Sequence, residues 1–173
     1  MGELEWWDVT ATATGIVEVP DDVSVTLYIS GDEPVSLEFM RGLPNDKIVE
    51  LHIQEPVVAA SFEAITHLAP GLRYLHLVGT DLGDEVLPSV ANLRGLVGLY
   101  CLGNRFTRRG LRQLVVLQAL ELLCLEQENL SASDLEFAAR LPRLTRLTGM
   151  QESEMDETEL ARLRAMLPWA EVV

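Results

Sequence analysis

The chain has 173 residues, 48% of them hydrophobic, and a formal net charge of −14. That length suffices for one domain with a continuous core, and that apolar content excludes a disordered chain. The charge sets the surface against phosphate backbones and anionic bilayers, so neither nucleic acid nor a membrane is an expected partner, and no apolar stretch approaches the length of a bilayer span.

The N-terminus, from Met1 to Trp7, is acidic and lacks a basic region followed by an apolar run, so no secretory leader is expected. Residues 9–14 and 16–19 alternate like strands and are broken at Gly15, and Pro20-Asp21-Asp22 reads as a turn. Beyond this point the chain repeats itself. Five segments start at Ile48, Leu72, Leu96, Leu120 and Leu144, a constant spacing of 24 residues. The fourth residue of each is Leu51, Leu75, Leu99, Leu123 and Leu147. The sixth is Ile53, Leu77, Cys101, Leu125 and Gly149, and the eleventh is Val58, Leu82, Phe106 and Leu130 before Glu154 breaks the rule. Residues 24–47 carry a weaker copy, with Leu27 and Ile29 at the fourth and sixth positions and Phe39, Met40 and Leu43 behind.

Alternate side chains of a strand point to opposite faces. If Leu75 and Leu77 face the core, then Tyr74, His76 and Val78 face outward. The second half of each segment reads as a short helix, as in Thr107 followed by Leu111, Leu114 and Leu117 on one face. Ser131 with Asp134, and Asp156 with Glu159, have the spacing of N-terminal capping pairs. Gly71, Gly95, Pro142 and Pro168 fall where helices stop.

The L-x-x-L-x-L opening at a fixed period resembles the leucine-rich repeat. The resemblance implies an α/β solenoid with parallel strands on a concave face and short helices on the convex face. It would form a single domain over residues 1–173: a β-rich N-terminal cap at 1–23, a degenerate repeat at 24–47, five repeats at 48–167 and a C-terminal cap at 168–173. Trp6 and Trp7 are suited to cover one open end, and Trp169 with Val172-Val173 the other. The chain departs from the family at the ninth position, usually Asn. Here it is Pro56, Thr80, Asn104, Glu128 and Glu152. A Glu carboxylate cannot donate a hydrogen bond, so the turns between repeats must be held in another way.

Stacked parallel strands about 4.8 Å apart turn equivalent positions into rows. The fifth position gives Tyr28, His52, His76, Tyr100, Cys124 and Thr148. The third gives Thr26, Glu50, Tyr74, Gly98, Leu122 and Arg146, and the seventh Ser30, Gln54, Val78, Leu102, Glu126 and Met150. The middle of this face is aromatic and apolar, and such patches mark interaction sites. The candidate binding residues are Tyr28, His52, Tyr74, His76, Val78, Tyr100, Leu102, Leu122, Cys124, Glu126 and Met150. Gly98 and Gly103 are expected to leave room for a shallow pocket beside Tyr100. The competing expectation is that the N-terminal segment folds over this face and buries it. His52 and His76 stand on adjacent strands and could share a transition metal. Tyr100 separates them from Cys124, however, and Glu50 would have to bend along the strand to become a third ligand. No metal or other cofactor is expected, and a mildly pH-sensitive patch is the better reading of the two histidines.

Cys101 and Cys124 should point to opposite faces, which argues for reduced thiols in a cytoplasmic protein. Lys47 is the sole lysine against twelve arginines, a bias that suggests a GC-rich bacterial genome. Arg105, Arg108, Arg109 and Arg112 cluster in one repeat and face acidic residues of the next. The sequence has no phosphate-binding glycine loop, no H-E-x-x-H, no C-x-x-C and no G-x-S-x-G. The expected function is therefore a monomeric, non-enzymatic interaction module that holds a protein or peptide on the concave face. A narrower alternative is an acidic, immunity-type inhibitor of a basic toxin or nuclease, motivated by the charge. A third is a metal-dependent enzyme built on His52 and His76.

Overall fold

A computed structural model describes residues 24–30, 33–54, 56–126, 130–149 and 155–173. The expected N-terminal cap with Trp6 and Trp7, and the candidate residue Met150, lie outside the described residues.

Within these residues seven strands form one sheet: β1 (Val25–Ile29), β2 (Ile48–Gln54), β3 (Tyr74–Val78), β4 (Gly98–Leu102), β5 (Leu122–Glu126), β6 (Arg146–Thr148) and β7 (Glu171–Val172). They lie in chain order, each parallel to the next. The register holds the 24-residue spacing from β2 to β6. Leu51 pairs with Leu75, Leu75 with Leu99, Leu99 with Leu123 and Leu123 with Leu147. These five leucines are at most 1% exposed. The neighbouring row of Ile53, Leu77, Cys101 and Leu125 is buried as well. Parallel strands need a crossover connection, and the second half of each segment supplies it behind the sheet.

Those crossovers are short helices, as the sequence leads one to expect. Most are 3-10 helix: Leu37–Gly42, Ala59–Leu68, Asp84–Val86, Arg112–Val116 and Glu136–Arg140. Among the described residues true α-helix is confined to α1 (Leu87–Asn92), α2 (Arg108–Leu111) and α3 (Glu157–Met166). A 3-10 helix rises about 2.0 Å per residue against about 1.5 Å for an α-helix, so it spans the back of a short unit with fewer residues. Asp156 caps α3, whereas the Ser131–Asp134 pair closes a turn ahead of Glu136–Arg140, a helix whose N-cap residue Leu135 makes no side-chain cap. The Asp156 carboxylate accepts from Glu159 N at 2.8 Å, and the Asp134 carboxylate accepts from Ser131 N at 2.9 Å.

The turns are held by different side chains in different segments. Asn104, 5% exposed, is the most heavily bonded. Its Oδ1 accepts from Thr80 Oγ1 at 2.6 Å and Leu82 N at 3.3 Å, and its Nδ2 donates to the carbonyls of Leu77 at 2.9 Å and Leu102 at 3.1 Å. Two segments earlier the buried Ser61 hydroxyl accepts from Leu37 N at 2.9 Å and donates to Val58 O at 2.7 Å. The Asp84 carboxylate accepts from Thr107 N at 2.8 Å and from its hydroxyl at 2.5 Å. Gly149 ends β6 with φ +91°, and a Cβ there would lie 2.6 Å from Leu125 O, so the site admits only glycine without rearrangement.

At the C-terminal edge Val172 is 7% exposed and pairs with Leu147, whereas Trp169 is 49% exposed. The aliphatic residue closes this edge; the indole does not. The arginine cluster reaches both neighbouring segments: Arg105 pairs with Asp81 at 2.5 Å and Arg108 with Glu136 at 3.0 Å. Both pairs are exposed and add little stability.

Candidate functional site

Strand register places Tyr28 opposite His52, His52 opposite His76, His76 opposite Tyr100, Tyr100 opposite Cys124 and Cys124 opposite Thr148. The first four carry rings, and the rings stack face to face. Centroids are 4.3 Å apart for Tyr28 and His52, 3.8 Å for His52 and His76, and 4.2 Å for His76 and Tyr100. Interplanar angles are 20°, 10° and 3°. Equivalent residues on strands about 4.8 Å apart need only share a rotamer to produce this stack. Because each ring hides its neighbour's face, the row is less open than the sequence suggests. Tyr28 at its end is 65% exposed, while the other three rings are half-buried.

Glu50 reaches the two histidines from the third position of β2. Its Oε1 lies 2.9 Å from His52 Nε2 and 3.0 Å from His76 Nε2, and its Oε2 lies 3.4 Å from Thr26 Oγ1. The His52 contact has hydrogen-bond geometry. The His76 contact does not, and among the described residues buried Nε2 of His76 has no hydrogen-bond partner. The reason is geometric: an oxygen in line with one N–H lies out of the plane of a ring stacked parallel to it.

Burial holds the His76 pKa below its ordinary value of 6.5. The proximity of His52 acts in the same direction, and both together outweigh Glu50. A histidine with a lowered folded pKa takes up its proton more readily when the chain is unfolded. Its contribution to stability is complete above about pH 6.5 and is lost as pH falls through the lowered value. The thermal midpoint is therefore expected to fall between about pH 7.5 and about pH 5.5, ahead of most carboxylate titration. His76→Gln should flatten that slope in a series of melts. An unchanged slope in the variant would place the pH response elsewhere.

The ligating atoms of Glu50, His52 and His76 lie within 4.8 Å of one another. Glu50 thus supplies the third donor, its side chain bending along the strand to both imidazoles. A metal shared by two imidazoles must lie near the plane of both rings. These rings are 10° from parallel and face each other, so they would have to turn out of the stack to share one. The donors gather here, but the ring orientation serves stacking.

The pocket beside Tyr100 is not where the glycines suggest. A Cβ at Gly98 would lie 2.5 Å from Tyr74 Cδ1 and 3.2 Å from Tyr100 Cε2, so neighbouring rings already fill that room. The hollow lies on the other side of Tyr100, above β5. It measures about 130 Å³ and is lined by Tyr100, Leu122, Leu123, Cys124, Arg146 and Thr148. Burial raises the pKa of the Cys124 thiol, and that of Cys101 behind it; both are free. Val78, Leu102 and Glu126 form a half-buried outer row.

The structure thus unites Tyr28, His52, His76 and Tyr100 in one stack, places Tyr74 beside it, and sets Leu122 and Cys124 at the hollow. Glu50, weighed from the sequence only as a third metal ligand, and Arg146 and Thr148, placed in the outward rows, were absent from the candidate binding residues. The signal for Glu50 was its place two residues before His52, on the same face of one strand. In comparison with known proteins, the chain matches no family model and no curated sequence.

Proposed function

We propose that the chain is a leucine-rich-repeat solenoid that binds a protein or peptide across its concave strand face, without catalysis. The observation that carries this reading is the four-ring stack of Tyr28, His52, His76 and Tyr100 with a hollow at its end. Rings already held by their neighbours lose little conformational freedom when a partner lands on them, which is the property of a good anchor surface. The 24-residue register and the buried leucine rows support the repeat reading. The net charge of −14 favours a basic partner and keeps the immunity-type inhibitor as the second reading.

A displayed-peptide selection against the intact chain tests the proposal. Selected binders should lose at least about tenfold in affinity on Tyr100→Ala, as expected for a hot-spot tyrosine. They should be unaffected by Arg140→Ala, an exposed change on the opposite side. Tyr100→Ala should cost only about 1 kcal/mol of stability, the value of one stacked contact. Binders indifferent to Tyr100 would refute the assigned face. A steep loss of affinity with added salt would favour the basic-partner version, and salt-insensitive binding the apolar one.

A further inference from the structure

The ring stack stops at Tyr100 because the next two residues of the row are Cys124 and Thr148. One face of Tyr100 is taken by His76 at 4.2 Å. The other bounds the hollow of about 130 Å³. From Tyr100 across Cys124 to Thr148 is two strand spacings, roughly 10 Å, and among the described residues the small Cys124 leaves the middle of that span open. An apolar cavity of about 150 Å³ is large enough for benzene.

The chemistry of the walls narrows the occupant. The 3° angle between His76 and Tyr100 presents a flat aromatic face. Leu122 and the mostly buried thiol of Cys124 add apolar surface. Arg146 stands at the rim, its guanidinium held by Glu171 at 2.8 and 2.9 Å. Its carboxylate partner is already engaged and the lining holds no other carboxylate among the described residues, so nothing here draws a guanidinium or ammonium guest, while the flat guanidinium can lie against the face of a ring.

We propose that this hollow is a vacant rung of the stack and receives one aromatic side chain of the partner, which becomes the fifth ring. The inference rests on the proposed binding role of the strand face and adds the chemistry of the anchoring group. The partner as a whole can be basic while its anchor is an uncharged ring.

The test uses indole as the probe, followed by NMR of the intact chain. Indole should produce saturable shifts at Tyr100, Leu122, Cys124 and Thr148, and methylguanidinium and isobutanol should not. Cys124→Phe fills the rung from below and should abolish the indole shifts and weaken the selected peptides at least about tenfold. Thr148→Phe fills it from the far side and serves the same purpose if Cys124→Phe does not fold. The proposal is overturned if indole leaves these residues unshifted, if isobutanol or methylguanidinium shifts them equally, or if the filled variants bind indole as the natural chain does. Peptides that depend on Tyr100 but ignore both filled variants would overturn this inference and leave the binding face standing. Indole bound in the hollow, with no peptide depending on Tyr100, would support the rung and refute the wider reading.

Discussion

Leu99→Ala is expected to lower the unfolding free energy by about 3 kcal/mol, within the range of buried leucine truncations. Leu99 is 0% exposed and sits at the centre of the five-leucine row, between Leu75 and Leu123. The backbone on either side is tied into the parallel ladder, so the walls of the new cavity have little room to collapse. In a chain of this size the loss corresponds to a fall of roughly 6–12 °C in thermal midpoint. Tyr100 is the next residue along the same strand but faces the other way, and Tyr100→Ala should cost only about a third as much. Because strand side chains alternate, a register error of one residue would exchange these two results. A thermally silent Leu99→Ala paired with a damaging Tyr100→Ala would mean that the two faces are reversed.

Asn104→Ala should be comparably severe, about 3 kcal/mol by denaturant titration. The truncation strips partners from Leu82 N, the Thr80 hydroxyl and the carbonyls of Leu77 and Leu102. These groups are in a turn where Asn104 and Thr80 are buried, so water cannot readily replace the amide. Asn104→Asp should not rescue the loss. The carboxylate can still accept from Thr80 and Leu82, but it cannot donate to the two carbonyls and brings a charge into a buried site. A loss below about 0.5 kcal/mol for Asn104→Ala would show that the turn is held without it. Asn104 therefore carries a fourfold hydrogen-bonding role, while Ser61 and Asp84 hold other turns by different chemistry.

The strand register was legible because the leucine spacing is invariant from Leu51 to Leu147. The back of each unit was legible as a short helix. Leu87, Val90, Leu93 and Leu96 are buried at intervals of three, as are Leu111, Leu114, Leu117 and Leu120, and Leu135, Ala138, Leu141 and Leu144. A strict interval of three is the period of a 3-10 helix and fits Arg112–Val116 and Glu136–Arg140, but Leu87 and Val90 share that spacing inside α1, so the spacing alone does not separate the two helix types. Leu160, Leu163 and Leu167 step by three and then four, and that segment forms α3, the longest α-helix among the described residues. The site was harder to read. A row of letters shows which residues align, but not that stacked rings conceal one another or that Glu50 folds back onto two imidazoles. The glycines suggested space where Tyr74 and Tyr100 in fact lie. The vacancy came instead from Cys124, a small residue following four rings.

Everything in this account depends on side chains 24 positions apart lying side by side on one face. Nuclear Overhauser contacts between assigned ring protons test that directly. Contacts are expected between Tyr28 and His52, His52 and His76, and His76 and Tyr100, in that order along the row. Rings without mutual contacts, or rings in contact with Leu75 and Leu99 instead of one another, would contradict that arrangement.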